Sequence, residues 1–296
     1  MGSRSPSTCQ KRGFRTLLVD RGAPGGGTSY GNAGLIQREA VVLYAFPRDL
    51  PTLLRLARNR APEARYDPRF LPRIAPFLAR YWWHSRVDRH AAIARRYAPL
   101  ITHALDAHRA LAAEAGASDR IRAGGWVLAF RTPAARAAAL ADAEAVRRAY
   151  GVGFEDLDAA ALGAREPHLA ADRLEGGILR PDAASVDDPQ GLTRAYLDHF
   201  LSLGGRFARG DAATLVPSGD AWRVLTDGGE VGAPRAVLAL GPWADTVTRR
   251  LGYRLPLAVK RGYHRHYRLL GNAGLALPVL DAERGVMLAP MRMGLR

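Results

Sequence analysis

The sequence predicts an α/β fold interrupted by a helical insertion, and three features support this prediction. The short apolar run RTLLVD (residues 15–20) lies between Gly13 and Gly22, which is typical of a strand with a turn on each side. From residue 47 to about residue 115 the apolar residues recur at helical spacing. After residue 176, short apolar runs surround one helical segment, so we expect a second α/β region there.

The elements of the first half follow from the same periodicities. Prolines at positions 51, 62, 68, 72, 76 and 99 are expected to divide the insertion into several short helices. GGWVLAF (residues 124–130) predicts a strand, residues 134–150 predict an alanine-rich amphipathic helix, and residues 157–169 contain a further short helix. GGILRPDAASVDDPQ (residues 176–190) predicts a strand followed by a turn.

The second half begins with a predicted helix over residues 189–203, which ends at a glycine pair. RFARG (residues 206–210), AWRVLTD (221–227) and RAVLALG (235–241) predict strands, and the turn Asp227-Gly228-Gly229 favours a hairpin between the last two. The apolar run 235–241 is typical of a strand buried on both faces. Further strands are predicted at LAVKRGYHRHYRLL (257–270) and GVMLAPMRM (285–293).

Composition narrows the class of protein. The formal net charge is +15 over 296 residues, but Lys11 and Lys260 are the only lysines, and the arginines are scattered among acidic and apolar residues. This distribution does not indicate a nucleic-acid-binding surface. The single cysteine, Cys9, excludes an internal disulfide framework and is typical of a reducing compartment. Since no apolar run reaches transmembrane length and no secretory leader is evident, the sequence predicts a cytoplasmic protein.

Three features of the α/β regions indicate a nucleotide site. Asp20 ends a strand, where an acid can accept hydrogen bonds from ribose hydroxyls, although an ordinary turn aspartate is an equal alternative. The loop GGGTSYGNAGLIQ (residues 25–37) offers backbone amides that can approach a pyrophosphate, or it is a flexible surface loop. Gly241 ends an apolar strand and allows close approach of a ligand, or it simply ends a core strand.

Taken in order, the stretches LLVDR, TSYGNAG, DPQGLTRAYLDHFLSLGGRF, VLALGPWAD and LPLAVKRGYHRHY resemble the FAD-dependent oxidoreductases of the D-amino-acid oxidase superfamily. The bacterial D-amino-acid dehydrogenase group has a similar early loop. The resemblance implies an incomplete Rossmann-like FAD-binding domain with an inserted α+β substrate domain. It divides the chain into residues 1–46 and 176–250 for the FAD-binding domain, with residues 47–175 and 251–296 for the substrate domain.

The resemblance also implies site residues. Asp20 would bind the ribose of FAD and Arg21 would lie beside the adenine, near backbone groups of Ala213 on a strand at residues 211–215. Arg292, placed on the last predicted strand, would bind the substrate carboxylate, since a guanidinium matches its geometry. His264 and Tyr44 are further pocket candidates. The remaining cofactor contacts are Thr28, Ser29, Asn32, Ala33, Gly34, Leu35, Ala239, Gly241 and Trp243.

The reaction implied is oxidation of the C–N bond of a D-amino acid or related amine. A hydride would pass to flavin N5, and the resulting imine would hydrolyse to a 2-oxo acid and ammonia, so no catalytic side chain is assigned. The electron acceptor is left open between a quinone or electron-transfer chain and oxygen. The group is often found at the inner face of the bacterial membrane, so peripheral association is one expectation. His264 and His266 lack a third ligand at metal-binding spacing, and no metal is predicted.

The family begins with a strand and a G-x-G-x-x-G turn, and this pattern does not occur ahead of Arg15. We therefore expect the chain to be truncated at both ends, to bind FAD weakly or not at all, and to fold poorly. Two alternatives stay open: a glycine- or sarcosine-type amine oxidase that uses oxygen, and a non-catalytic remnant of the family.

Overall fold

The computed structural model describes residues 4–59, 65–258 and 261–296. In these residues the α-helices are α1 Arg4–Lys11, α2 Leu50–Ala57, α3 Leu71–His84, α4 Val87–Thr102, α5 Ala104–Glu114, α6 Pro133–Tyr150, α7 Ala159–Arg165, α8 Pro189–Ser202 and α9 Ala244–Thr248. The strands are β1 Leu17–Asp20, β2 Leu35–Ile36, β3 Ile121–Arg122, β4 Trp126–Phe130, β5 Glu155–Asp158, β6 Gly176–Arg180, β7 Ala184–Val186, β8 Arg206–Arg209, β9 Val216–Ser218, β10 Ala221–Thr226, β11 Gly229–Ala233, β12 Val279–Asp281, β13 Val286–Leu288, β14 Pro290–Met291 and β15 Gly294–Leu295.

The chain folds into two compact units, each built from three segments. The first unit comprises Met1–Asn32, Ala110–Ser118 and Pro189–Tyr263, and the second comprises Ala33–Arg109, Asp119–Asp188 and His264–Arg296. The mixed α/β class predicted from the sequence is confirmed. The assignment of residue ranges to a FAD-binding and a substrate domain stays a prediction.

The first unit contains a parallel strand pair and an antiparallel meander. Strands β1 and β8 run parallel, with Asp20 opposite Arg209. Strands β9, β10 and β11 form the meander, and α1 packs against α8. The ring of Phe200 on α8 is buried against the turn into β8, where a side chain at Gly205 would overlap it. Strands are therefore confirmed at β1, β8 and β10, with β1 half-buried rather than fully buried.

The second unit has a five-stranded sheet, in the order β13-β12-β4-β6-β5, with helices on both faces. Alternate residues of β4 point to opposite faces, which divides the core in two. Val127 packs with Leu162 of α7 on one face. Phe130 packs with Ala143 of α6 on the other. Strands β2, β7 and β3 form a smaller sheet, and β14 and β15 form a hairpin.

Two predicted strands are not formed. Residues 235–240 join no sheet within the described chain, and Val237 is 74% exposed, so the prediction of a doubly buried strand is wrong. The hairpin turn at Asp227 is correct, but it leads into β11, which directly follows it. An apolar run becomes a strand only where a neighbour satisfies its backbone groups, and composition does not reveal that neighbour.

The predicted strand 257–270 contains two residues, 259 and 260, that lie outside the described residues. The following stretch 261–268 is exposed throughout and has a single bridge, between Tyr267 and Leu295. Its side chains are charged or aromatic on both faces, so a strand there would have no apolar face to bury. The stretch 285–293 contains two short strands, β13 and β14, instead of one. Arg292 lies in the turn after β14 rather than on a strand.

Two further expectations are corrected by local chemistry. Residues 212–214 form a 3-10 turn instead of a strand, because the Asp211 carboxylate accepts a hydrogen bond from the amide of Ala213 at 2.8 Å. Pro76 and Pro99 lie inside α3 and α4 rather than between helices. Both prolines are exposed, so the carbonyl that loses its helical partner can be hydrated.

Candidate functional site

The carboxylate of Asp20 is exposed at the carboxyl end of β1, beside the parallel strand β8. Its Oδ1 atom accepts a hydrogen bond from the amide of Gly22 at 2.9 Å, which turns the chain away from the strand. Ligands of open parallel sheets bind at the carboxyl ends of the strands. The position and exposure of Asp20 therefore suit an acceptor for ribose hydroxyls.

The structure brings Arg21, which was predicted to lie beside the adenine, into contact with Trp243, another predicted cofactor contact. The guanidinium carbon of Arg21 lies 5.2 Å from the centroid of the Trp243 ring, within cation–π range. Trp243 is 46% exposed and ends a 3-10 turn that begins at Gly241, whose φ is +54°. Ala239 precedes this turn in exposed, irregular chain. The pair offers a flat, partly open surface of the kind on which a base can stack.

The loop after β1 is a series of turns. The amide of Asn32 donates to the carbonyl of Ser29 at 3.2 Å, and Thr28 is exposed in the same loop. Gly25 has a φ of +72°, and a Cβ there would lie 2.9 Å from the carbonyl oxygen of Gln190 at the start of α8. Glycine is thus required where this loop approaches that helix.

Ala213 has both of its backbone groups engaged. Its amide donates to Asp211, and its carbonyl accepts from the guanidinium of Arg250. A contact of the adenine with the amide of Ala213 would displace Asp211, whereas the carbonyl oxygen has a second lone pair for a further donor. The role of Ala213 stays a prediction.

In the second unit, Gly34 makes the closest backbone approach of the glycine-rich stretch. It is buried, its φ is +74°, and a Cβ at this position would lie 2.1 Å from the carbonyl oxygen of Val186. The amide of Val186 donates to the carbonyl of Gly34 at 2.6 Å, and the next residue, Leu35, pairs with Ser185. Ala33 is half-buried beside it. The conformation of this segment is therefore set by its pairing with β7.

Arg292 is held by two carboxylates. Its Nε donates to Oδ1 of Asp187 at 3.0 Å, and its Nη2 donates to Asp119. The hydrogen bonds to Asp119 and then Asp187 raise the pKa of Arg292 above its ordinary value. Asp187 is 3% exposed, and its Oδ2 also accepts a hydrogen bond from Nη2 of Arg122 at 2.8 Å. The sequence does not predict this network, although Asp187 and Asp188 lie in the stretch 176–190, for which a strand and a turn are predicted.

His264 lies beside His266, with ring centroids 5.6 Å apart, in the exposed stretch before the bridge at Tyr267. The Nε of Arg296 donates to Nε2 of His266, which fixes that nitrogen as an acceptor. Burial, and then the charge of Arg296, lower the pKa of His266. The lowered pKa favours the neutral form of this histidine.

Sequence reasoning also missed a polar cluster around Glu39. Its Oε1 accepts from the indole nitrogen of Trp126 at 2.6 Å, and burial raises the pKa of its carboxyl group. The nearby guanidinium of Arg180 is 8% exposed, and burial lowers its pKa. Among the described residues, Oε2 of Glu39 and Nη1 of Arg180 are buried without a hydrogen-bond partner. The sequence does not reveal that Glu39 and Arg180 are buried, because charged residues are usually expected at the surface.

Tyr44, the remaining predicted pocket residue, has a side chain that is 83% exposed. A cavity of about 550 Å³ in the second unit is lined by other residues, which include Arg38, Asp106 and Arg109. It contains none of the predicted site residues.

The residues present fit the adenosine half of a dinucleotide. An exposed acid lies at the end of a parallel strand, an arginine–tryptophan pair lies in the same unit, and a glycine-rich loop follows the strand. In the described chain no helix is long and apolar enough to cross a membrane, and no group of three acidic, histidine or cysteine residues is arranged for a metal ion.

These features are typical of a nucleotide-binding α/β protein, and comparison with known proteins identifies the family. Residues 8–296 match the DAO family of FAD dependent oxidoreductases. The chain belongs to this family, whose members depend on FAD.

Two curated relatives carry related names. A D-amino-acid oxidase of Bradyrhizobium diazoefficiens is 32% identical over 264 residues, which cover 86% of this chain and 61% of the relative. A D-amino acid dehydrogenase of Methylobacterium radiotolerans is 30% identical over 290 residues, which cover 96% of this chain and 66% of the relative. The chain thus spans about two thirds of the length of these proteins.

Among solved structures, glycine oxidase from Geobacillus kaustophilus superposes with a TM-score of 0.63 at 18% identity, covering 99% of this chain and 68% of that one. At this identity the likeness supports the fold alone. It confirms the mixed α/β architecture predicted from the sequence.

Proposed function

We propose that this protein is an FAD-dependent oxidoreductase that oxidises the C–N bond of D-amino acids or related amines. The observation that carries the proposal is the exposed Asp20 at the end of β1, in the same unit as the Arg21–Trp243 pair, in a chain of the DAO family. The names of the two curated relatives support a D-amino acid as substrate.

The cofactor would be held from its adenosine end. Asp20 would accept hydrogen bonds from the ribose hydroxyls, because its carboxylate is exposed and, among the described residues, its Oδ1 accepts from the local amide of Gly22 alone. The ring of Trp243 would contact the adenine, with Arg21 holding that ring in place. When bound, FAD supplies the acceptor for the hydride that leaves the substrate carbon.

On the substrate side, Arg292 would bind the substrate carboxylate through Nη1, since Nε and Nη2 already donate to Asp187 and Asp119. These two carboxylates restrict the guanidinium to one orientation. They also offset its charge, so we expect the carboxylate of the substrate to bind with modest affinity. His264 is a second candidate for this pocket.

The electron acceptor distinguishes an oxidase from a dehydrogenase, and the two relatives differ in this respect by name. We propose that the acceptor is either a quinone or another electron carrier, or oxygen. Location in the cytoplasm, with at most peripheral contact with a membrane, is proposed from the single cysteine and from apolar runs that are all shorter than a transmembrane helix.

The test combines cofactor binding with turnover. Purified protein is titrated with FAD, and the flavin-loaded sample is then given D- and L-amino acids with either a redox dye or oxygen alone. Since we expect FAD to bind weakly, it is supplied in excess, and we then expect dye reduction with D-amino acids. Trp243→Phe should weaken FAD binding by about threefold, because a smaller ring provides less contact. The matched control Trp222→Phe, on β10 of the same unit, should not. Turnover that is absent for every amine contradicts the proposal.

A further inference from the structure

The cavity of about 550 Å³ in the second unit, called here the Arg38 cavity, is formed by four parts of the chain that are distant in sequence. Arg38 lies just before the short 3-10 helix Glu39–Val41, and Thr102 ends α4 where the first turns of α5 follow. The remaining walls include Gly151, where α6 ends, and Asp182, in the turn after β6. The volume lies within the range of small-molecule sites, about 300–1,000 Å³.

The walls of the cavity are held in place by a hydrophobic cluster. Val41, Ile101 and Val152 are buried and belong to this cluster, and each lies within three residues of a lining residue. The Nη1 of Arg38 also donates to the carbonyl of Thr102 at 2.9 Å, which joins two of the walls directly. The Arg38 cavity is therefore bounded by chain that the core fixes.

Charged side chains line the cavity, and most of their hydrogen-bonding groups are unused. Among the described residues, half-buried Arg38 pairs with no carboxylate, and the side chains of Asp106 and Arg109 form neither an ion pair nor a hydrogen bond. Asp106 and Arg109 lie one turn apart on α5, whereas Glu144 and Arg147 have the same spacing on α6 and pair at 2.6 Å. A partly desolvated charge costs free energy unless a partner is supplied.

The turn after β6 contributes a carboxylate that has one oxygen in use. The Oδ2 of Asp182 accepts from the amide of Gly153 at 2.7 Å, which orients the carboxylate and leaves Oδ1 available. The cavity thus presents two guanidinium groups and two carboxylates, together with the imidazole of His103. A ligand of one charge would be attracted by one pair and repelled by the other, whereas a ligand with both charges satisfies both pairs.

We infer that the Arg38 cavity binds a small zwitterion with one carboxylate and one ammonium group, which is the chemistry of a free amino acid. Arg38 and Arg109 bind the carboxylate. Asp106 and Asp182 bind the ammonium group. None of the residues predicted to contact FAD or the substrate lines this cavity, so the inference goes beyond the proposed function and does not depend on turnover.

The test is calorimetric titration of the full chain with L-serine, with and without excess FAD. L-Serine is a small zwitterion and is not a substrate of the proposed D-amino-acid oxidation. Two further compounds each keep one of its charged groups: 3-hydroxypropionate has the carboxylate, and ethanolamine has the ammonium group. We expect L-serine to bind equally with and without FAD, and the other two compounds to bind at least about tenfold more weakly.

Three variants assign the binding to this cavity. Arg109→Gln removes a guanidinium without a partner among the described residues and should weaken L-serine binding about tenfold. Asp182→Asn keeps an oxygen for the amide of Gly153 but removes the negative charge, and should weaken binding about fivefold. Arg95→Gln is the matched control, because Arg95 is an exposed arginine of α4 that does not line the cavity. Circular dichroism verifies that each variant is folded.

Loss of L-serine binding in Arg109→Gln and Asp182→Asn, with wild-type binding in Arg95→Gln, supports the inference. Wild-type protein that binds no L-serine overturns it, as does an Arg109→Gln variant that binds L-serine as tightly as wild type. Equal affinities for L-serine and 3-hydroxypropionate would also overturn it, since the cavity would then be a simple anion site. These outcomes are separate from the proposed function, because a chain that oxidises no amine can still bind L-serine in this cavity.

Discussion

Replacing Gly34 by alanine should destabilise the second unit severely. The φ of Gly34 is +74°, a conformation that costs an ordinary L-residue about 1–2 kcal/mol. The added Cβ would lie 2.1 Å from the carbonyl oxygen of Val186, which is backbone and cannot rotate away. Strand β2 would have to separate from β7.

The size of the effect follows from what must be lost. Separation breaks the hydrogen bond from the amide of Val186 to the carbonyl of Gly34, worth about 1 kcal/mol net. Together with the backbone strain this gives about 2–3 kcal/mol. For a chain of this size that corresponds to a fall of about 4–12 °C in unfolding midpoint.

The assay is thermal and urea unfolding followed by circular dichroism, with Gly27→Ala as the control. Gly27 belongs to the same glycine-rich stretch, but a Cβ there would meet no atom within 4 Å. We expect the control to stay within about 0.5 kcal/mol of wild type. Equal stability of the two variants would show that the pairing of Gly34 with β7 does not determine the conformation of this loop.

Two further predictions concern buried charge. Asp187→Asn should destabilise the fold by about 2 kcal/mol in urea unfolding, because Arg122 and Arg292 lose charged hydrogen bonds; an effect below 0.5 kcal/mol would contradict this. Burial raises the pKa of Glu39, so the folded protein binds its proton more tightly than the unfolded chain. The stability of wild type relative to Glu39→Gln should therefore fall as pH rises above the ordinary value of 4.5, and a difference that is independent of pH would refute the assignment.

The sequence predicted elements whose signal is local. The helix α6 was found almost to the residue, because Gly151 ends it in the left-handed conformation and alanines favour it throughout. The strand at 235–241 was not formed, because its apolar composition says nothing about a pairing partner. The 3-10 turn after Asp211 was missed because an aspartate side chain captured an amide two residues away.

In the candidate site too, locally determined features could be predicted from the sequence and contacts between distant residues could not. The exposed acid at the end of β1 could be expected from the sequence, since it follows from a strand end. Gly34 was predicted to contact the cofactor, and its approach to β7 was not predicted, because the two segments are distant in sequence. The partners of Arg292 could not be expected either, because Asp119 and Asp187 are distant from it in sequence. Among 43 basic residues, nothing marks this arginine as the one paired with a buried acid.

The three-segment construction of each unit has a consequence for synthesis on the ribosome. Strand β12 pairs with β4 through Val279 and Val127. The five-stranded sheet of the second unit therefore cannot be completed until residues about 150 positions after β4 have been synthesised. The first unit likewise needs its segment up to Tyr263. Neither unit can be completed until its last segment has been made, so the edge of β4 that pairs with β12 stays open through much of elongation.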